Sequence, residues 1–121
     1  MRLSHKRRCV FLVALLACGA AAAHPHLLGA QPPPGGRAPA VRELRLRFSE
    51  ALEPMLSTVH LEASGGEAMG EPTATVARAD PRILVLRLHG KLAAGRYRVR
   101  WAAVGADGHR THGAYWFTAS P

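Results

Sequence analysis

The sequence predicts an all-β fold, either a sandwich or a barrel. Apolar and polar residues alternate in short runs, as they do along strands whose successive side chains point to opposite faces. Glycine and proline interrupt these runs about every ten residues, a spacing typical of small β-sandwiches. After residue 23 the sequence has no convincing helical stretch, and 121 residues are enough for one domain.

Residues 1–23 have the pattern of a secretory signal. A basic start is followed by a short apolar run and by three alanines that end at Ala23, where cleavage is predicted. The apolar run is shorter than the roughly 20 residues that a membrane-spanning helix needs. An alternative is lipoprotein processing at Cys18, because residues 15–18 resemble a lipobox. The prediction is an exported domain of residues 24–121.

The first part of this domain predicts an edge element and then a half-buried strand. A proline-rich segment at 32–36 predicts an edge and a turn, because proline cannot donate to a central ladder. Residues 41–48 then alternate, which predicts a strand with one buried face. The two faces of this strand are Leu44, Leu46 and Phe48 on the apolar side and Glu43, Arg45 and Arg47 on the polar side.

Three further runs are predicted as strands. Residues 58–63 place Val59 and Leu61 inward, and residues 73–77 form the next short run. Residues 82–88 follow an Asp-Pro turn and carry apolar side chains at every second position. Those side chains are Leu84, Leu86 and Leu88.

The last two predicted strands, 97–104 and 114–119, are joined by a loop that carries metal-binding residue types. Glycines at positions 105, 108 and 113 predict a tight connection. Asp107 and His109 lie two residues apart in this loop, and His112 follows three residues later. The inward side chains of the two strands are Tyr97, Val99, Trp101, Tyr115 and Phe117.

Charge and cysteine content narrow the classes of function. Both cysteines lie in the signal, so the exported domain has neither disulfides nor thiolate ligands. Four of the 16 basic residues also lie there, and the remaining 12 against 8 acidic residues leave a charge of about +4. Arginines on the polar strand faces are solvated, or they contact anionic lipid or an acidic partner. Nucleic acid is not a predicted partner, because the protein is exported and no aromatic residue is interleaved with the arginines.

The cleaved N-terminus can complete a metal site with the loop. His24 would carry a free α-amine, which can chelate an ion together with the imidazole Nδ1. Pro25 has no amide hydrogen, so the next backbone nitrogen cannot join the ligands. With His109 and Asp107 the site has three nitrogens and one oxygen, surroundings that favour Cu(II). Because the amine must lose its proton to bind, affinity should fall in acid.

Several segments resemble the CopC family of periplasmic copper-binding proteins. They are His24-Pro25-His26-Leu27, Phe48-Ser49-Glu50, residues 92–101 (LAAGRYRVRW), and Ala106-Asp107-Gly108-His109 with Gly113. The resemblance implies a Greek-key β-barrel of the cupredoxin or immunoglobulin-like kind. It also implies one Cu(II) ion held by His24, Asp107 and His109, with Trp101 beside the ion but not bound to it.

The resemblance further implies a monomeric periplasmic carrier, not an enzyme, that sequesters or transfers copper in homeostasis or resistance. Its implied partner is an inner-membrane CopD-like copper transporter. Some family members also hold Cu(I) in a methionine-rich loop with a histidine. The corresponding residues 65–73 have only Met69 and no histidine, and Met55 stands alone earlier. One thioether does not make a soft site, so the prediction is a Cu(II)-only protein.

Other assignments stay open at this point. His26 and His112 are alternatives that could assist the ion, whereas His60 and His89 are predicted on the surface. An amine with two imidazoles also resembles the histidine brace of copper monooxygenases, although Asp107 would fill the position that those oxidoreductases keep for oxygen. A third function is a β-sandwich interaction module that binds no metal.

Overall fold

The computed structural model describes residues 24–69 and 74–121, and within these ranges the chain forms eight β-strands and no helix. In chain order they are β1 (Leu27–Gln31), β2 (Arg37–Pro39), β3 (Glu43–Phe48), β4 (Thr58–Ala63), β5 (Thr75–Val76), β6 (Ile83–Arg87), β7 (Gly95–Val104) and β8 (Arg110–Ser120). Nothing in the described ranges is a helix long and apolar enough to cross a membrane. The predicted signal, its cleavage site and the Cys18 alternative fall outside them.

The strands form two four-stranded sheets. One has the order β1-β3-β6-β5 and the other the order β2-β8-β7-β4. The first four strands alternate between the sheets, and the proline-rich segment carries the chain from β1 to β2. Neighbouring strands are antiparallel except β2 and β8, which are parallel. The arrangement confirms the predicted all-β fold, and the two separate sheets make it a sandwich.

The core lies between the sheets and is built from the inward faces that the alternation predicted. The apolar faces of β3 and β6 contribute leucines and a phenylalanine with no exposed surface, and β4, β7 and β8 supply the opposite side. Burying such side chains contributes roughly 1.5–3 kcal/mol each relative to exposure. The largest fully buried side chains are Phe48, Phe117, Leu44, Leu46, Leu84, Leu86, Val99 and Pro25.

Strand β8 begins earlier than the sequence predicted. Arg110 pairs with Val104, so the connection between β7 and β8 is only residues 105–109. The prediction of a loop through Gly113 was wrong because Gly113 faces Trp101 within the ladder. A Cβ at Gly113 would lie 2.6 Å from the Trp101 ring, so this glycine allows close packing and not a turn.

Two predicted strands also differ in detail. Strand β5 is limited to Thr75–Val76, and Thr73 of the predicted run lies outside the described residues. Val85 on β6 is buried although the alternation placed it on the outer face. Its partners in the register are Arg45 and Thr75, which flank it on that same face. Neighbouring side chains therefore cover a position that the pattern alone left exposed.

Candidate metal centre

The loop that connects β7 and β8 is fixed by its own backbone. The N–H of Gly105 donates to the carbonyl of His109 at 3.0 Å, and the N–H of Gly108 donates to the carbonyl of Gly105 at 2.9 Å. Gly108 has φ of +84°, a conformation that glycine adopts without strain. An isolated bridge between Leu52 and Gly105 attaches the loop to the preceding segment. The side chains on this loop are therefore held at one end of the sandwich.

Asp107 and His109 interact directly within this loop. The backbone N–H of His109 donates to Asp107 Oδ1 at 3.0 Å, and His109 Nδ1 lies 2.8 Å from Asp107 Oδ2. Both side chains are exposed. The hydrogen bond from the His109 backbone lowers the pKa of Asp107 most, the imidazole contact comes next, and the charges of His109 and His24 add smaller effects. Asp107 is therefore a carboxylate at neutral pH, and it orients the ring of His109.

The imidazoles of His24 and His109 lie together although they come from opposite ends of the domain. Their centroids are 4.8 Å apart and the rings are nearly perpendicular, at 87°. His24 precedes β1 in one sheet, and His109 precedes β8 in the other. The fold thus brings the predicted N-terminal histidine to the predicted loop.

The N-terminal segment is attached to both sheets. Pro25 is fully buried, and a Cβ at Gly105 would lie 3.5 Å from its ring and 3.2 Å from Asp107 Oδ1. Thr111 Oγ1 donates to the carbonyl of Pro25 at 2.5 Å. On the other sheet, Ser49 makes three hydrogen bonds with the segment. The sequence analysis named Ser49 only as part of the Phe48-Ser49-Glu50 segment and did not single out Thr111.

The other histidines and methionines of residues 24–69 and 74–121 do not join this group. His26 and His112 are exposed, and His112 pairs with Ala102 in the ladder on a solvent-facing position of β8. Met69 is half-buried against the core, and Met55 is almost fully exposed. His60 and His89 are exposed, as expected.

Side chains alone do not form a ready cluster in the described ranges. There, no group of three or more His, Cys, Asp or Glu side chains converges to hold a metal ion. The predicted set has three such side chains, and its fourth donor is the backbone amine of His24, so the described structure does not itself gather the set around an ion. The ligand assignment of His24, Asp107 and His109 therefore stays a prediction. The structure shows the adjacent imidazoles of His24 and His109, with the Asp107 carboxylate hydrogen-bonded to His109.

Trp101 lies on β7, opposite Gly113 of β8, in the hairpin that carries this site. Its ring packs edge-on against Phe48, with centroids 5.1 Å apart, and lies over Gly113. Trp101 is half-buried and belongs to the edge of the core, so it cannot act as an ion's ligand without leaving that packing.

Comparison with known proteins shows a consistent set of similarities. The family model described as CopC domain matches residues 27–120. Copper resistance protein C from Escherichia coli is 36% identical over 104 residues, covering 81% of this chain and 82% of that protein. Copper resistance protein C from Pseudomonas syringae pv. tomato is 31% identical over 113 residues, covering 89% and 90%.

Solved structures show the same likeness. CopC from Methylosinus trichosporium OB3b superposes with a TM-score of 0.74 and 32% identity, covering 81% of this chain and 95% of that one. PcoC, a methionine-rich copper resistance protein from Escherichia coli, gives a TM-score of 0.70 and 35% identity, covering 81% and 100%.

Proposed function

This chain belongs to the CopC family of copper resistance proteins, and from that premise we propose that it binds one Cu(II) ion in the periplasm and passes it on by ligand exchange. The observation that carries the proposal is the edge-on contact between the imidazoles of His24 and His109. Two imidazoles that share an ion at bond lengths of about 2.0 Å bring their centroids to roughly 4–6 Å. The observed 4.8 Å lies in that range.

The proposed ligands are the amine and imidazole of His24, the imidazole of His109 and the carboxylate of Asp107. Since Nδ1 of His109 contacts Asp107, we propose that Nε2 of His109 binds the ion. In metal sites the second ring nitrogen of a histidine is commonly held by a carboxylate, which fixes the tautomer and the orientation of the ring. Asp107 can also turn its free lone pairs toward the ion, because its side chain is exposed.

The donor set favours Cu(II). Three nitrogens and one carboxylate oxygen suit a tetragonal Cu(II) site, and copper leads the affinity order of the divalent first-row ions. The two methionines of the described domain lie in different surroundings, one packed on the core and one in solvent. We therefore propose a Cu(II)-only protein. From its resemblance to the family we also propose that it acts as a monomer and that its partner is a CopD-like transporter.

The proposal is tested by a competitive Cu(II) titration of two preparations. One chain begins at His24, and the other carries one additional N-terminal alanine; intact mass verifies each start. If the amine is a ligand, the alanine extension weakens Cu(II) binding by several orders of magnitude, because it converts the amine to an amide. Equal binding by both chains would mean that internal side chains alone hold the ion.

Two further results separate the alternative functions. Failure of a chain that begins at His24 to retain Cu(II) would favour an interaction module that binds no metal. Consumption of oxygen with a reductant by the copper-loaded chain would favour an oxidoreductase. A carrier retains Cu(II) and shows no such turnover.

A further inference from the structure

We propose that Ser49 and Thr111 are positioning residues that hold the His24-Pro25-His26 segment in its copper-binding place before the ion arrives. This inference rests on the proposed function, because the role concerns the placing of His24 as a ligand. Neither Ser49 nor Thr111 is a proposed ligand. Both act on the position of His24.

Ser49 joins the segment by hydrogen bonds to the sheet with the order β1-β3-β6-β5. This residue directly follows β3, and its N–H donates to the carbonyl of His26 at 2.9 Å. Its hydroxyl oxygen accepts from the N–H of His26 at 2.9 Å and donates to the carbonyl of His24 at 3.3 Å. The hydroxyl thus bonds both neighbours of Pro25, and removing it leaves one backbone hydrogen bond at this position.

Thr111 joins the segment by a hydrogen bond to the sheet with the order β2-β8-β7-β4. Its hydroxyl donates to the carbonyl of Pro25, and Thr111 is the second residue of β8, two positions after His109. Pro25 is fully buried between these attachments. The strand that directly follows His109 therefore also binds the residue next to His24.

Attachment to both sheets has a consequence for binding. Chain termini are usually poorly ordered unless they are tied down. If the first residues were free, copper would have to order them, and that cost would reduce affinity. The hydrogen bonds of Ser49 and Thr111 join the segment to other protein groups, so they order it without drawing on contacts to the ion.

The test uses the chain that begins at His24, with Thr111→Val and Ser49→Ala as the variants. Valine keeps the shape of threonine but cannot donate to the Pro25 carbonyl. Thr111→Val should bind Cu(II) roughly threefold to tenfold more weakly, the effect of one net hydrogen bond, and Ser49→Ala should lose at least as much because its hydroxyl makes two. Metal-free amide exchange at His26 should become faster. Thr111→Ser, which keeps the hydroxyl, should restore both values, and Thr118→Val on the same strand should change neither.

A double-mutant cycle separates positioning from a general structural role. In a His24→Ala background that also carries the additional N-terminal alanine, position 24 supplies neither its imidazole nor a free amine, so Thr111→Val should lose most of its effect on the remaining affinity. An equal loss in both backgrounds would overturn the proposal. So would unchanged affinity in both Ser49→Ala and Thr111→Val while the unmodified chain binds Cu(II), and the proposed function would then still stand. An unmodified chain that fails to bind Cu(II) would overturn both.

Discussion

The imidazole of His109 stands edge-on to the imidazole of His24, and the same ring holds the carboxylate of Asp107 at 2.8 Å through Nδ1. His109 thus contacts both a residue at the N-terminal end of the domain and a residue of its own loop. This relationship allows the roles of the two loop residues to be separated by mutation.

Replacing His109 by alanine should weaken Cu(II) binding far more than replacing Asp107 by asparagine. Loss of His109 removes a nitrogen ligand and also the partner of Asp107. Asparagine can still accept from the His109 backbone, so it removes the charge with less change of shape. We expect a loss of at least roughly 10- to 100-fold for Asp107→Asn, the range for a group that only orients a metal ligand, because Asp107 is also proposed to give a carboxylate oxygen to the ion.

Competitive titration gives the affinities, and His112→Ala is the matched control, since that imidazole faces solvent on β8. Both loop variants should remain folded, because the side chains are exposed. Unchanged affinity in His109→Ala would remove this residue from the site.

Acid should release the ion well before Asp107 becomes protonated. Between pH 7.5 and 5.5 protons compete with the ion for the nitrogen ligands, above all for the α-amine, whose reference pKa is near ~8. We expect the affinity to fall about tenfold per pH unit for each proton displaced. Hydrogen bonding to His109 holds the pKa of Asp107 below 3.8, so its favourable contribution to folding is present above that pH and is lost only in stronger acid.

The measurement is the apparent Cu(II) affinity as a function of pH for the unmodified chain and for Asp107→Asn. The two slopes should agree between pH 7.5 and 5.5, although the absolute affinities differ. A flatter slope in Asp107→Asn would show that the carboxyl group takes up a proton in that range.

Replacing Met69 by leucine should leave Cu(II) binding unchanged. Met69 packs against the core, and leucine has nearly the same volume, so the substitution should cost less than about 1.5 kcal/mol of stability. Titrations with Cu(II) and, under reducing conditions, with Cu(I) test this. A strong Cu(I) affinity that disappears in Met69→Leu would contradict the Cu(II)-only proposal.

Most of the fold could be predicted because alternation is a local property of the chain. The inward faces of β3 and β4 were identified from their own residues, and each lies in the core. The start of β8 was missed for the opposite reason. Residues 110–113 are polar and contain a glycine, and their strand conformation comes from pairing with β7, which no local pattern records.

The residues of the candidate site also divide into those that the sequence could predict and those that it could not. Asp107 and His109 are close in sequence, so their spacing could be recognised, and His24 was found because signal cleavage predicts a free amine there. Ser49 and Thr111 could not be found from sequence. Their partners are backbone carbonyls and amides of residues 24–26, and only the folded chain brings them together.

Two buried tyrosines should respond in opposite directions when each loses its hydroxyl. The Tyr115 hydroxyl is buried and has no hydrogen-bond partner among the described residues, and burial raises its pKa. The Tyr97 hydroxyl donates to the carbonyl of Ala93 at 2.8 Å. Since an unsatisfied buried hydroxyl is costly, Tyr115→Phe should be neutral or should stabilise the fold by up to about 1 kcal/mol, while Tyr97→Phe should cost about 1 kcal/mol. Urea unfolding measures both, and a clear loss of stability in Tyr115→Phe would show that its hydroxyl is bonded in solution.

Substituting alanine for Gly113 should destabilise the domain and displace the Trp101 ring. The new Cβ would lie 2.6 Å from Trp101 Cζ2, a distance that requires the indole to move away from its contact with Phe48. Overpacking of this kind costs about 1–3 kcal/mol. Thermal unfolding gives the stability, and the indole emission should shift to longer wavelength as the ring becomes more exposed. Gly65→Ala is the control, because a Cβ there meets open space and should change neither value. Equal behaviour of the two variants would mean that the Trp101 ring does not lie over Gly113 in solution.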